Sequence, residues 1–142
     1  MTSSSVNYGI IVETELEFDD AVETVIEELE KEGFGILSRI DVQATLKMKL
    51  NVDHPKHIIL GASFPELAFN VLRAEPWAGL LFPCNVVVQE LDGVTQIGFM
   101  DPEVLQRETA NPAVSYTVSD ARERFIRVAN SLAGQLSATS PV

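Results

Sequence analysis

Cys84-Asn85-Val86-Val87-Val88-Gln89-Glu90-Leu91-Asp92-Gly93-Val94-Thr95-Gln96-Ile97-Gly98-Phe99-Met100 is the stretch that decides the fold class. Two apolar, β-branched runs flank Asp92-Gly93, the residue pair that best tolerates the positive φ angles of a two-residue hairpin. The first run reads as a strand from Gly79 to Leu91, and its near-continuous apolar character implies cover on both faces. The second runs from Val94 to Met100 and stops at Asp101-Pro102. An antiparallel pair is therefore expected near the middle of a sheet.

Working upstream, Tyr8, Ile10 and Val12 alternate with Gly9, Ile11 and Glu13, the period of a strand. From Phe18 the period becomes helical. Phe18, Ala21, Val22, Val25, Ile26 and Leu29 form one stripe, with Asp19, Asp20, Glu23, Glu27, Glu28 and Glu30 opposite. Acidic residues in the first turn suit the helix dipole, and Gly33 supplies a left-handed stop. Phe34 to Ile40 reads as a strand with Phe34, Ile36 and Ile40 on one face. Val42 to Leu50 fits a short helix capped by Asp41, or an alternating strand, about equally well. After a turn at Asp53 to Lys56, His57 to Ala62 is a strand. Ser63-Phe64-Pro65-Glu66 then has the form of a capping box, opening a helix whose stripe is Leu67, Ala68, Val71 and Leu72. Downstream of the hairpin, Gln106 to Ser115 is polar and loop-like. Val118, Ala121, Phe125, Val128, Leu132 and Leu136 predict a C-terminal helix, with Arg122, Arg124 and Arg127 mostly outward.

This order predicts an α+β domain: a single curved, antiparallel-rich mixed sheet of about five strands, with two long helices and one or two shorter ones on one face. The domain is expected over residues 7–136, between a disordered tail at 1–6 and a frayed tail at 137–142. A hydrophobic share of 46% with 22% charged residues belongs to a globular chain, and 142 residues suffice for one core without a staple. The longest apolar run, Ala78 to Val88, is broken by Pro83 and Asn85, so no membrane span is expected. Met1 to Ser5 has no basic residue leading an apolar core, so no secretory signal is expected and the cytoplasm is the expected compartment. A net charge of −11 opposes nucleic-acid and anionic-membrane partners, which are recognised through lysine and arginine.

Three runs together resemble one known family: Ile40-Asp41-Val42-Gln43-Ala44-Thr45-Leu46-Lys47-Met48-Lys49-Leu50, Ile59-Leu60-Gly61-Ala62, and Gly79-Leu80-Leu81-Phe82-Pro83-Cys84-Asn85-Val86-Val87-Val88. It is domain-of-unknown-function family 302, and the resemblance covers about residues 7–135. The resemblance implies a fold similar to the TATA-binding-protein-like superfold, related to a β-α-β(4)-α order, and a homodimer. It implies no reaction. Family members often carry a second cysteine just after the Gly-Ala of the third strand. Ser63-Phe64-Pro65 stands there instead, which tells against any role needing two thiols.

Cys84 is the one candidate nucleophile. Either a helix N-terminus or a cation activates its thiol, or it is inert core packing. Ser63 at the helix start is a candidate anion contact or simply a cap, and Asn85 is its neighbour's polar companion. Lys47 and Lys49 are candidates to clamp an anionic ligand, or pair with nearby carboxylates. Asp53-His54-Pro55-Lys56-His57 holds two imidazoles, but Pro55 breaks any helix that would align them and Lys56 repels a cation, so no metal is expected. With no phosphate loop and no paired-carboxylate signature, no cofactor is expected either. Two functions follow as expectations. One is a non-catalytic domain that binds a small ligand or a protein and forms a homodimer, supported by apolar Trp77, Leu81, Phe82 and Phe99 near element ends. The other is a thiol-dependent enzyme or redox sensor centred on Cys84.

Overall fold

The computed structural model describes residues 5–134. Strands β1 (Ser5–Val6), β2 (Gly9–Thr14), β3 (Gly35–Asp41), β4 (His57–Ser63), β5 (Cys84–Leu91) and β6 (Val94–Met100) form one sheet in the order β1-β2-β6-β5-β4-β3. Every pairing is antiparallel, so the mixed character expected of the sheet is absent. Ser5 and Val6, expected in the tail, pair with Ile10 and Gly9. The expected tail at 137–142 and Leu136 lie outside the described residues.

Helices α1 (Phe18–Lys31), α3 (Pro65–Ala74) and α5 (Ser115–Leu132) supply the other side of the core, α1 packing on β5 and α5 on β2 and β6. The stripe predicted for α1 is buried at Phe18, Ala21, Val22, Val25 and Leu29. Gly33 ends it at φ 92°, and Phe34 N–H returns to Leu29 O at 3.0 Å. Along α5, Val118, Ala121, Phe125, Val128 and Leu132 are all buried. Between the layers, Phe125 stacks on Phe34 at 4.7 Å between centroids, while Phe64 meets Phe34 edge-on at 5.1 Å. Arg124 is not outward: its guanidinium lies 3.9 Å over the Phe64 ring and donates to Glu32 O, closing the end of α1.

Several local expectations change. The strand foreseen from Gly79 starts only at Cys84, because Pro76 to Leu81 is a 3₁₀ turn led by Pro76 and closed by Pro83. Ser63 is not the cap of α3; that position is Phe64, and the Ser63 hydroxyl donates to Phe64 O at 3.3 Å. Of the α3 stripe, Leu67 and Val71 are buried but Leu72 is 37% exposed. Val42 to Leu50 is helix α2, capped by Asp41 through Ala44 N–H at 2.9 Å, and it buries no residue at all. That lack of an apolar stripe is why its periodicity stays ambiguous. In β3 a bulge between Ile36 and Ser38 shifts the register, so Ile40 faces away from the Phe34–Ile36 side. The expected loop at 106–115 is mostly helical, as α4 (Glu103–Thr109) and a 3₁₀ turn at Pro112–Val114. Asp92 and Gly93 take φ 54° and 79°, the hairpin expected of them.

Candidate functional site

All the major helices pack on one face of the sheet, which leaves the other face open at β2, β6 and β5. The registers align three rows across it. Ile11, Gly98, Val87, Ile59 and Ile40 make an apolar middle row. Glu13, Gln96, Gln89 and His57 make a polar row on one side. On the other side Gly9 and Met100 lead towards Asn85 and Gly61. The continuous cover expected for β5 is thus wrong, since Val87 and Asn85 belong to a face that no helix of the described chain closes. Period-two alternation hides within Val86-Val87-Val88, where both faces carry the same residue.

A groove of about 500 Å³ runs along this face. Val6 and Tyr8 of the β1–β2 turn and Val104 of α4 form its wall. That wall is held by polar contacts. Asp101 N–H donates to Tyr8 O at 2.9 Å, and Arg107 Nη2 donates to Asn7 O at 2.8 Å. The Asp101 carboxylate, only 14% exposed, accepts from Glu103 N–H and from Arg122 Nε at 3.0 Å, so α5 fixes the start of α4. Asp101 is therefore more than the turn residue its Pro102 neighbour suggests.

The groove carries no lysine, arginine or carboxylate among its described lining residues. His57 is its one basic group, and burial, with some repulsion from His54, holds its pKa below the usual 6.5, leaving it neutral near pH 7. Gln89 Nε2 donates to Gln96 Oε1 at 3.4 Å. One amide oxygen and one amide nitrogen of the pair stay free, and Asn85 has no partner among the described residues.

The candidate residues fall in separate places. Cys84 points the opposite way from Asn85, into the core, at 0% exposure. Burial there pushes its thiol up to about 12 from 9.0, the reverse of activation. Ser63 is buried at the end of β4. Lys47 and Lys49 stand on α2; Lys47 pairs with Asp53 at 3.3 Å, both largely exposed, and neither lysine lines the groove. Asn85 alone among the five reaches it. Of the apolar residues picked out, Phe99 is core, Leu81 and Phe82 pack partly against it, and Trp77 is 79% exposed. Gln89, Gln96, Gly98 and Ile11 went unseen, although Gln96-Gly98-Met100 alternating with Thr95-Ile97-Phe99 carried the signal.

The family model described as "Domain of unknown function DUF302" matches residues 10–132. The chain belongs to the DUF302 family. This DUF302 domain is also similar to the solved structure of an uncharacterised conserved DUF302 protein from Bacillus stearothermophilus. That likeness has a TM-score of 0.82 and 26% identity, covering 89% of this chain and 99% of the other. No functionally curated protein matches the chain. No helix among the described residues is long and apolar enough to cross a membrane.

Proposed function

We propose that this chain is a non-catalytic binding domain that holds a small molecule on the open face of its sheet. The supporting observation is the groove itself: an apolar floor flanked by the Gln89–Gln96 pair and by Asn85, whose amide has no partner among the described residues, in a volume suited to a ligand of modest size. The burial of Cys84 and its raised pKa weigh against the thiol-dependent alternative. Binding can be followed by amide chemical shifts with four bicyclic fragments: quinolin-2-one, naphthalene-2-carboxylate, 2-naphthylmethylammonium and naphthalene. Saturable shifts at Ile11, Val87 and Gly98 from at least one fragment are expected. If none of the four moves those amides, the reading fails.

Self-association is a second reading, carried by a different surface. β3 is an open edge of the sheet, and α2 beside it buries nothing. Leu37, Ile40, Met48 and Leu50 on these two elements are between 48% and 74% exposed. A nine-residue helix is too short to persist on propensity alone, so a covering partner would stabilise it. A second copy is the partner proposed, and sedimentation at micromolar concentration is expected to give a dimer. A purely monomeric boundary removes this part of the proposal and leaves the groove untouched.

A further inference from the structure

Three glycines of the open face, Gly9, Gly61 and Gly98, lie in β2, β4 and β6, while Gly35 stands on the edge strand β3 away from the groove. Glycine weakens a strand, because its chain loses more freedom and it offers no side chain to pack. Two of the three have a local reason. A Cβ on Gly61 would sit 2.5 Å from Ser38 Oγ and 3.0 Å from Pro83 Cγ. On Gly9 it would meet Val6 Cγ2 at 3.2 Å, tighter than usual contact.

Gly98 has no such reason. An added Cβ would find only Ile11 Cγ1, at an ordinary 3.5 Å, and its φ is outside the left-handed region. The fold therefore accepts a side chain at 98. What a side chain would occupy is the middle of the groove floor, between Ile11 on one side and Val87 on the other. Directly along β6 and β5 lie Gln96 and Gln89, whose mutual hydrogen bond leaves one amide nitrogen and one amide oxygen without a partner among the described residues. Whichever way the two amides are turned, one of each remains.

We infer that Gly98 is the specificity-determining position of the groove, kept bare so that a flat, uncharged ring can lie across β6 while Gln89 and Gln96 read a donor–acceptor edge such as an amide or lactam. This rests on the binding function proposed above and names the chemistry of its ligand. Charge matching supports an uncharged occupant. Among its described lining residues the groove has no lysine, arginine or carboxylate to pair with an ion, Glu13 standing beyond Gln96 outside that lining, so an ion brought onto the floor would lose solvation with little compensation. A flat ring suits a floor with one missing side chain between two aliphatic ones, since its faces cover Ile11 and Val87 while its edge reaches the amides.

The same four fragments test this, with the variants Gly98→Val and Gly98→Ala. Quinolin-2-one is expected to bind at least about tenfold more tightly than the carboxylate, the ammonium or naphthalene. Gly98→Val is expected to weaken quinolin-2-one by at least about tenfold while the thermal midpoint stays level or rises, with Gly98→Ala intermediate. A merely structural glycine would give the reverse pattern, a lowered midpoint with affinity kept in the folded fraction. Equal affinity for a charged fragment, or unchanged quinolin-2-one binding by folded Gly98→Val, overturns the inference while the binding function stands. Unfolding of both variants overturns it as well, because the fold would then need the glycine. Failure of every fragment to bind the wild-type protein overturns the function and the inference together.

Discussion

Cys84 in the folded protein is expected to react with iodoacetamide at about pH 8 at least a thousandfold more slowly than in the guanidinium-denatured chain. Its side chain has no exposed surface, and burial raises the thiol to about 12 from 9.0. A rise of that size lowers the thiolate fraction at this pH by about a thousandfold, and the thiolate is the nucleophile. Restricted access slows the reaction further. Following the rate across pH in both states gives the test. A folded-state rate close to the denatured one, or a midpoint below that of a free thiol at about 8.5, would return Cys84 to the centre of the functional question.

The second large effect is in the aromatic core. Phe125→Ala is expected to destabilise the domain by about 3–5 kcal/mol, a sizeable part of the stability of an ordinary domain. Phe125 is fully buried, stacked on Phe34 at 9° between ring planes and tilted against Phe99 at 5.3 Å. It thus joins α5 to β6 and to the segment that follows α1. Urea unfolding should show a lower midpoint at unchanged slope. Tyr116→Ala on the same helix is the control: at 83% exposure it should change stability by no more than about 0.5 kcal/mol. A loss below about 1 kcal/mol for Phe125→Ala would mean that the core collapses around the gap.

The parts of this fold legible in the amino-acid sequence are those where one element faces one core. The stripe on α1, the α5 periodicity and the Asp92-Gly93 turn each depend on local chemistry, and each is found where expected. Where local chemistry is silent, the reading fails for identifiable reasons. Val42 to Leu50 has no buried face to produce a period. Glu103 to Thr109 spans too few residues for one, and its start depends on Arg122 from a distant helix holding Asp101. The bulge at Ile36–Ser38 turns Ile40 to the opposite face, which alternation cannot foretell. The site was less legible than the fold for a related reason. Cys84 and Asn85 are neighbours in sequence, but adjacent strand residues point to opposite faces, so one is core and the other lines the groove.

Strand order has a temporal consequence as well. β3, β4 and β5 each pair with the next strand in the chain, whereas β2 joins residues 9–14 to 95–100 across most of the molecule. The connections between β3, β4, β5 and β6 are all shorter than the span from β2 to β6, and the more distant pairing closes its loop at greater entropic cost. The four-strand meander is thus expected to form before β2 pairs with β6. Since β2 brings Ile11 to the floor of the groove and the chain before it brings Val6 and Tyr8 to its wall, the cavity is complete only once β2 has paired with β6. A molecule bound there would clasp the last segment to arrive, and by mass action would hold shut the seam most apt to open first.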